Sequence, residues 1–195
     1  TDKDQLFSNA EIHDISVAIG VDPHGVDDTP DLSGLRYGKI AILSDADVDG
    51  SHIQVLLLTL FFRHFPKLIE QGHIYIAQPP LFRVDVPGQG KNRPPRKLYA
   101  LDDGEMDAIL DRLRSEGVKE SAWSISRFKG LGEMNPEQLK DTTMNPDTRR
   151  LSRVQVRPGA MQTTRDMFIM LMGKGEASSR RSWMEAKGNE AEVDI

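Results

Sequence analysis

Apolar and polar positions recur along this chain with periods that change from segment to segment. Over residues 9–20, Ile12, Ile15 and Val17 give an apolar side at helical spacing, Asn9 suits the N-cap, and Gly20 can supply a left-handed C-terminal turn. Residues 21–35, rich in Asp, Pro and Gly, read as a loop. The apolar run Ile40-Ala41-Ile42-Leu43 predicts a strand near 38–44 that delivers Asp45, Asp47 and Asp49 at its carboxyl end. After Gly50 a long helix is expected, with Ile53, Leu56, Leu57, Leu60 and Phe61 packed on the sheet. Pro66 should break or kink it, and Gly72 should close the segment beyond that break.

Residues 73–78 predict the next strand of the same α/β unit, ending at Pro79-Pro80. Segments 81–86 and 97–101 read as strands around a mobile loop, 87–96, of Gly, Pro, Lys and Arg. Asp102 with Glu105 resembles a capping box at the start of a helix that ends near Gly117. A strand around 123–128 leads into Lys129-Gly130-Leu131-Gly132-Glu133-Met134, and Asn135-Pro136 forms an N-cap and first-turn pair. A strand (151–157), a Met-rich helix (160–172) and a basic helix from Ser178 complete the pattern, with no internal repeat.

Composition narrows the chemistry. With 195 residues the chain can hold one large or two small domains, and with no cysteine it has neither disulfides nor thiolate metal sites. The longest apolar stretch, residues 55–62, is too short to span a bilayer, and no signal peptide opens the chain, so a cytoplasmic setting is expected. The net charge of −5 hides an asymmetry: residues 1–58 hold 3 Lys/Arg against 11 Asp/Glu, whereas residues 127–181 hold 11 against 6. An acidic cluster paired with a separate basic face suits a phosphate-bearing substrate, although ordinary solvated charge gives the same imbalance.

Alternating carboxylates repel unless a cation or proton relieves them, and a hard cation such as Mg²⁺ prefers carboxylate oxygen and water. Asp45, Asp47 and Asp49 are therefore the candidate metal residues, against the alternative of a solvated acidic turn. An EF-hand would need a bidentate Glu at the twelfth position, which here is Leu56, and an entering helix where a strand is expected. The Asp-x-Asp-x-Thr/Val string of haloacid-dehalogenase phosphatases is departed from at its fifth position, Asp49.

Longer strings carry a resemblance. Leu43-Ser44-Asp45-Ala46-Asp47-Val48-Asp49-Gly50-Ser51-His52-Ile53 resembles the metal-binding motif of the Toprim domain in bacterial type IIA DNA topoisomerases. Arg127-Phe128-Lys129-Gly130-Leu131-Gly132-Glu133-Met134-Asn135-Pro136-Glu137-Gln138-Leu139 resembles that family's second long signature. Ile74-Tyr75-Ile76-Ala77-Gln78-Pro79-Pro80-Leu81 and Thr142-Thr143-Met144-Asn145-Pro146 are further matches, in the family's order. The ending from Arg180 to Glu192 and the short span between Leu101 and Trp123 look like the topoisomerase IV branch of B subunits more than the gyrase branch. The family's ATPase and transducer domains, and its Glu-Gly-Asp-Ser-Ala motif, have no counterpart here, so a C-terminal fragment beginning inside the Toprim domain is expected.

The resemblance implies an α/β fold, a Rossmann-like Toprim domain over 1–80 lacking its first motif, followed by an α+β tail over 81–195. It implies Mg²⁺ held by Asp45 and Asp47, the catalytic pair, with Asp49 helping a second ion or orienting water. ATP would act only in the absent N-terminal domain. DNA and the topoisomerase IV A subunit are the implied partners, in a heterotetramer, with the A subunit supplying the tyrosine that attacks DNA; the setting is the nucleoid and no membrane is involved. His52 is either a DNA contact or a helix-capping or buried histidine, Arg180 either a DNA contact or a solvated arginine. Lys129, beside the Gly130-x-Gly132 pair, either approaches a phosphate or serves packing. Other readings are a gyrase B fragment, a different Toprim enzyme such as a primase or nuclease, and a non-catalytic scaffold that docks the A subunit and DNA; the fragment alone is expected to be inactive.

Overall fold

A computed structural model of the protein describes residues 6, 8–45, 47–88 and 93–190, so part of the expected loop 87–96 lies outside the described residues. The chain divides into two compact units, each assembled from separated stretches of sequence. One draws on residues up to Gly34, on 59–71 and on residues from Gln155 onward; the other comprises 35–58 and 72–154.

The first unit is helical. Helix α1 (Ala10–Ile19) begins where the Asn9 side chain accepts the Ile12 N–H and ends at Gly20, whose φ of 80° is the left-handed geometry that only a residue without Cβ adopts freely. Its buried positions are Ser16 and Ile19, while Val17, expected on the apolar side, is 52% exposed. The Ser16 hydroxyl is satisfied by donating to the Val21 carbonyl at 3.0 Å. Helix α2 (Val48–His64) brings Leu60, Phe61 and Phe62 into this unit, and α3 (Pro66–Glu70) comes next with Pro66 in its first turn. Phe65 and Leu68 are completely buried. Phe62 stacks on Phe168 at 4.7 Å between ring centroids. Phe168 belongs to α6 (Met161–Met172), which is followed by α7 (Ala177–Lys187).

A cap from outside the helix starts α3. Phe65 offers no side-chain acceptor, and the imidazole of buried His24 takes that place: its Nε2 accepts the Lys67 N–H at 3.2 Å, so its Nδ1 carries the proton that meets the Asp22 carbonyl at 2.9 Å.

The second unit holds two three-stranded sheets. In one, β1 (Ile40–Ile42) pairs parallel with β2 (Ile74–Ala77), Ile40 opposite Ile74, and β2 pairs antiparallel with β6 (Leu151–Arg153). Parallel neighbours need a crossover, and the helical segment between β1 and β2 supplies it. In the other sheet, β3 (Phe82–Val86) lies between β4 (Arg96–Ala100) and β5 (Ser124–Arg127), antiparallel to both. Phe82, Val84 and Val86 alternate into the core while Arg83 and Asp85 pair with each other at 2.8 Å. Helix α4 (Asp103–Ser115) covers this sheet with Leu110 and Leu113, which cluster with Val84, Val86 and Val118. Asp102 caps its first turn through the Glu105 N–H at 2.8 Å, but the Glu105 carboxylate returns to the Leu101 N–H, one residue earlier than a capping box requires.

The expectation for α2 needs correction. Ile53 and Leu56, expected on the sheet, are 53% and 47% exposed, whereas Leu60, Phe61 and Phe62 are buried. The run from Val55 to Phe62 is apolar nearly all round the helix, so its period does not select one face.

Candidate functional site

Beyond β1 the chain leaves the sheet through Leu43 and Ser44 and presents Asp45, exposed, ahead of α2. Asp47 is the residue before α2 and acts as its cap: its Oδ1 accepts the Gly50 N–H at 2.7 Å and its carbonyl accepts the Ser51 N–H at 3.0 Å. The Ser51 hydroxyl adds a bond to the same carbonyl. Asp49 lies in the first helical turn, where the helix dipole favours negative charge. Val48 and His52 are exposed on the same turns.

Gly50 explains itself at this point. It is buried in the first turn of α2, and a Cβ placed on it would overlap the Asp45 carbonyl and come within 2.9 Å of the Asp45 nitrogen. Only a residue without a side chain lets the helix start against the backbone of the acidic turn.

The second face of Asp45 comes from far along the chain. Strand β5 ends at Arg127, Phe128 is buried, and its N–H donates to the Leu81 carbonyl at 2.8 Å. The segment then makes a single 3₁₀ turn, Leu131–Glu133, and buries Met134. Inside it the Glu133 carboxylate accepts the Lys129 N–H at 2.7 Å. The Leu131 N–H, unpaired within so short a turn, donates instead to Asp45 Oδ1 at 2.7 Å. A Cβ on Gly130 would lie 2.7 Å from the Asp45 carboxyl carbon and 2.8–2.9 Å from its oxygens. Gly132, the other member of the pair, would meet nothing within 4 Å. The short helix α5 (Pro136–Leu139), with a full capping box between Asn135 and Gln138, anchors the downstream end.

The structure therefore brings Asp45 together with the Lys129–Leu131 segment, whose lysine side chain is exposed. It does not gather Asp45, Asp47 and Asp49 into one cage: among the described residues no three His, Asp or Glu side chains meet as a metal-holding group. That arrangement still suits Mg²⁺, which keeps several waters and takes one or two carboxylates plus substrate phosphate. Asp45 and Asp47 each use one oxygen on a backbone N–H, and a carboxylate retains further lone pairs for an ion.

Arg180 belongs to the helical unit. Its Nη1 donates to the carbonyls of Met170, Leu171 and Gly173 at 3.0, 3.3 and 3.0 Å, the unsatisfied C-terminal carbonyls of α6. Neighbouring Arg181 is exposed and pairs with Glu185 one turn on. The sequence marks Arg180 by its charge but gives no sign of Gly50, Gly130 and the Leu131 amide as neighbours of Asp45. The Asp-Gly and Gly-x-Gly strings are visible there, yet nothing local signals a contact between residues 86 positions apart.

Comparison with known proteins decides the family. The chain is 51% identical over 192 residues to the B subunit of DNA topoisomerase 4 from Pseudomonas aeruginosa, and 47% identical over 194 residues to that from Haemophilus influenzae. Each alignment covers 98% of this chain and 28% of the relative. It belongs to the B-subunit family of type IIA DNA topoisomerases. A gyrase B subunit from Thermus thermophilus is 47% identical over 192 residues, again 98% of this chain and 28% of the relative. A family profile described as DNA gyrase B subunit, carboxyl terminus, matches residues 120–185, from the approach to β5 through most of α7. The chain thus spans a little over a quarter of the length of the relatives it matches, and among its described residues no helix is long and apolar enough to cross a membrane.

Proposed function

We propose that this chain forms the Mg²⁺-holding part of the DNA cleavage and religation core of an ATP-dependent type II topoisomerase, of the topoisomerase IV kind. It would work with an A subunit that contributes the nucleophilic tyrosine, toward double-strand breakage, strand passage and decatenation of chromosomes in the bacterial cytoplasm. The observation that carries this reading is the meeting of the two longest signatures: Asp45 of the acidic string accepts the Leu131 N–H of the glycine-rich string. The parallel β1–β2 pair with its helical crossover supports a Rossmann-like Toprim unit, because such sheets bind ligands beyond the carboxyl ends of their strands, where Asp45 stands.

In the reaction, the partner's tyrosine oxygen bonds to phosphorus as the bond from phosphorus to the 3′ oxygen breaks, leaving a 5′-phosphotyrosyl end and a free 3′ end. Mg²⁺, when bound, supplies positive charge beside the scissile phosphate and the leaving 3′ oxygen. The chain's own part is to fix Asp45 and Asp47 in place: the Leu131 and Gly50 N–H groups hold one oxygen of each carboxylate, so neither needs to reorganise when the phosphate arrives. Asp49, His52 and Lys129 are exposed around this turn and loop; Asp49 would help a second ion or orient water, and His52 and Lys129 would meet the DNA backbone. The test is Mg²⁺-dependent cleavage of duplex DNA in the complex with the A subunit. With the Glu-Gly-Asp-Ser-Ala segment supplied upstream of this chain, parent protein should cut, and Asp45→Ala and Asp47→Ala should not; equal cutting by both variants would leave only a docking role for this chain.

A further inference from the structure

Gly130 and Gly132 are equivalent in sequence and opposite in surroundings. At Gly132 a methyl group would enter open space; at Gly130 it would overlap the Asp45 carboxylate, 2.7 Å from its carbon. The segment cannot simply swing away. It is pinned on one side by buried Phe128, whose N–H is bonded to Leu81, and on the other by buried Met134, whose N–H is bonded to the Leu131 carbonyl at 3.1 Å. The Lys129–Glu133 bond closes the turn from within. Asp45 is also backed by Gly50, against which its main chain lies too closely for any Cβ. One glycine thus abuts the carboxylate, another abuts the main chain that carries it, and a backbone amide fixes one of its oxygens.

We propose that Gly130 and the Leu131 amide are positioning groups for Asp45: the missing Cβ admits the carboxylate, and the amide holds Oδ1 so that the remaining lone pairs face the divalent cation. This rests on the metal reading of Asp45. Groups that orient a metal ligand without touching the ion typically change affinity by about 10- to 100-fold when removed. Gly130→Ala should therefore act like an injury to Asp45, although residue 130 is not itself a ligand.

The experiment uses this chain with Mn²⁺ as a paramagnetic stand-in for Mg²⁺, read by amide NMR. In the parent, Mn²⁺ should broaden the resonances of Asp45 and Leu131, and the Leu131 amide should exchange slowly without metal. Gly130→Ala should lose that protection and need at least about tenfold more Mn²⁺, while Gly132→Ala keeps both properties. Asp45→Ala should lose both while the resonances of β3 and α4 stay in place, which separates the contact from general unfolding. If Gly130→Ala binds Mn²⁺ as tightly as the parent, the positioning inference is overturned and the metal reading survives. If the parent shows no Mn²⁺ effect at Asp45, the metal reading itself falls and the inference with it.

Discussion

The acidic turn after β1 and the basic corner between α6 and α7 look alike in sequence: each offers charged side chains suited to handling DNA. In the structure they part company. Asp45 and Asp47 each give one oxygen to a backbone N–H and remain exposed, so their charge is oriented and still available. Arg180 turns its guanidinium onto three carbonyls at the end of a helix and is half-buried there, so its charge stabilises the protein's own backbone. A charged residue in a family signature can be a tool or a fastener, and what distinguishes them is whether the charged group stays exposed once the nearby backbone groups are satisfied.

The largest effect that would sharpen this contrast is on chemistry. Asp45→Ala or Asp47→Ala should lower DNA cleavage by about 100-fold or more; melting should change little in Asp45→Ala, while Asp47→Ala should also lose the cap of α2, a cost of about 1 kcal/mol. Arg180→Ala should do the reverse. Losing charge-assisted bonds to helix-terminal carbonyls is expected to cost about 2 kcal/mol in denaturant unfolding, while Arg181→Ala, an exposed i,i+4 pair, stays within about 0.5 kcal/mol. A stability loss at Asp45 matching that at Arg180 would erase the distinction.

A smaller effect belongs to the anchor downstream of the Asp45 contact. Asn135→Ala removes the side-chain half of the α5 capping box, the Oδ1 that accepts the Gln138 N–H, and should cost about 1 kcal/mol, read by thermal unfolding. Smallest is the pH response of Glu105, whose carboxyl is held below the usual carboxylate range first by the Leu101 N–H and then by the Arg150 guanidinium. A folded-state pKa below the unfolded one gives stability that is present above the unfolded value and fades as pH falls through the folded value. Acid titration of stability should therefore be shallower in Glu105→Gln, by under about 1 kcal/mol because the pair is exposed to solvent.

Local chemistry was legible in the sequence wherever the chain speaks to its near neighbours. Asn9, Gly20, Asp102, Asn135 and Pro66 all mark helix boundaries that the structure has, because caps and breakers act within a few residues. The strand near 38–44 was also legible, though only Ile40, Ala41 and Ile42 pair in the ladder. The packing face of α2 was not, because a run apolar on all sides has no periodic signal. Nor was the asymmetry between Gly130 and Gly132, or the cap that His24 gives to α3 from 43 positions away. These depend on long-range contacts, which single-sequence patterns do not carry. The resemblance to topoisomerase B subunits named Asp45, Lys129 and Arg180 together; only the structure shows Asp45 bonded to the Leu131 amide, two residues beyond Lys129, and Arg180 bonded to carbonyls at a helix end.

The most direct test is the Mg²⁺ concentration giving half-maximal DNA cleavage in the complex with the A subunit, for the parent and for Asp45→Asn and Asp47→Asn. Asparagine keeps the size of the side chain and an oxygen for the Leu131 or Gly50 N–H, so it removes charge with the least disturbance. If these carboxylates hold the ion, each variant should need at least about tenfold more Mg²⁺, with folding unchanged. An unchanged Mg²⁺ requirement in both would contradict the claim that Asp45 and Asp47 hold the ion.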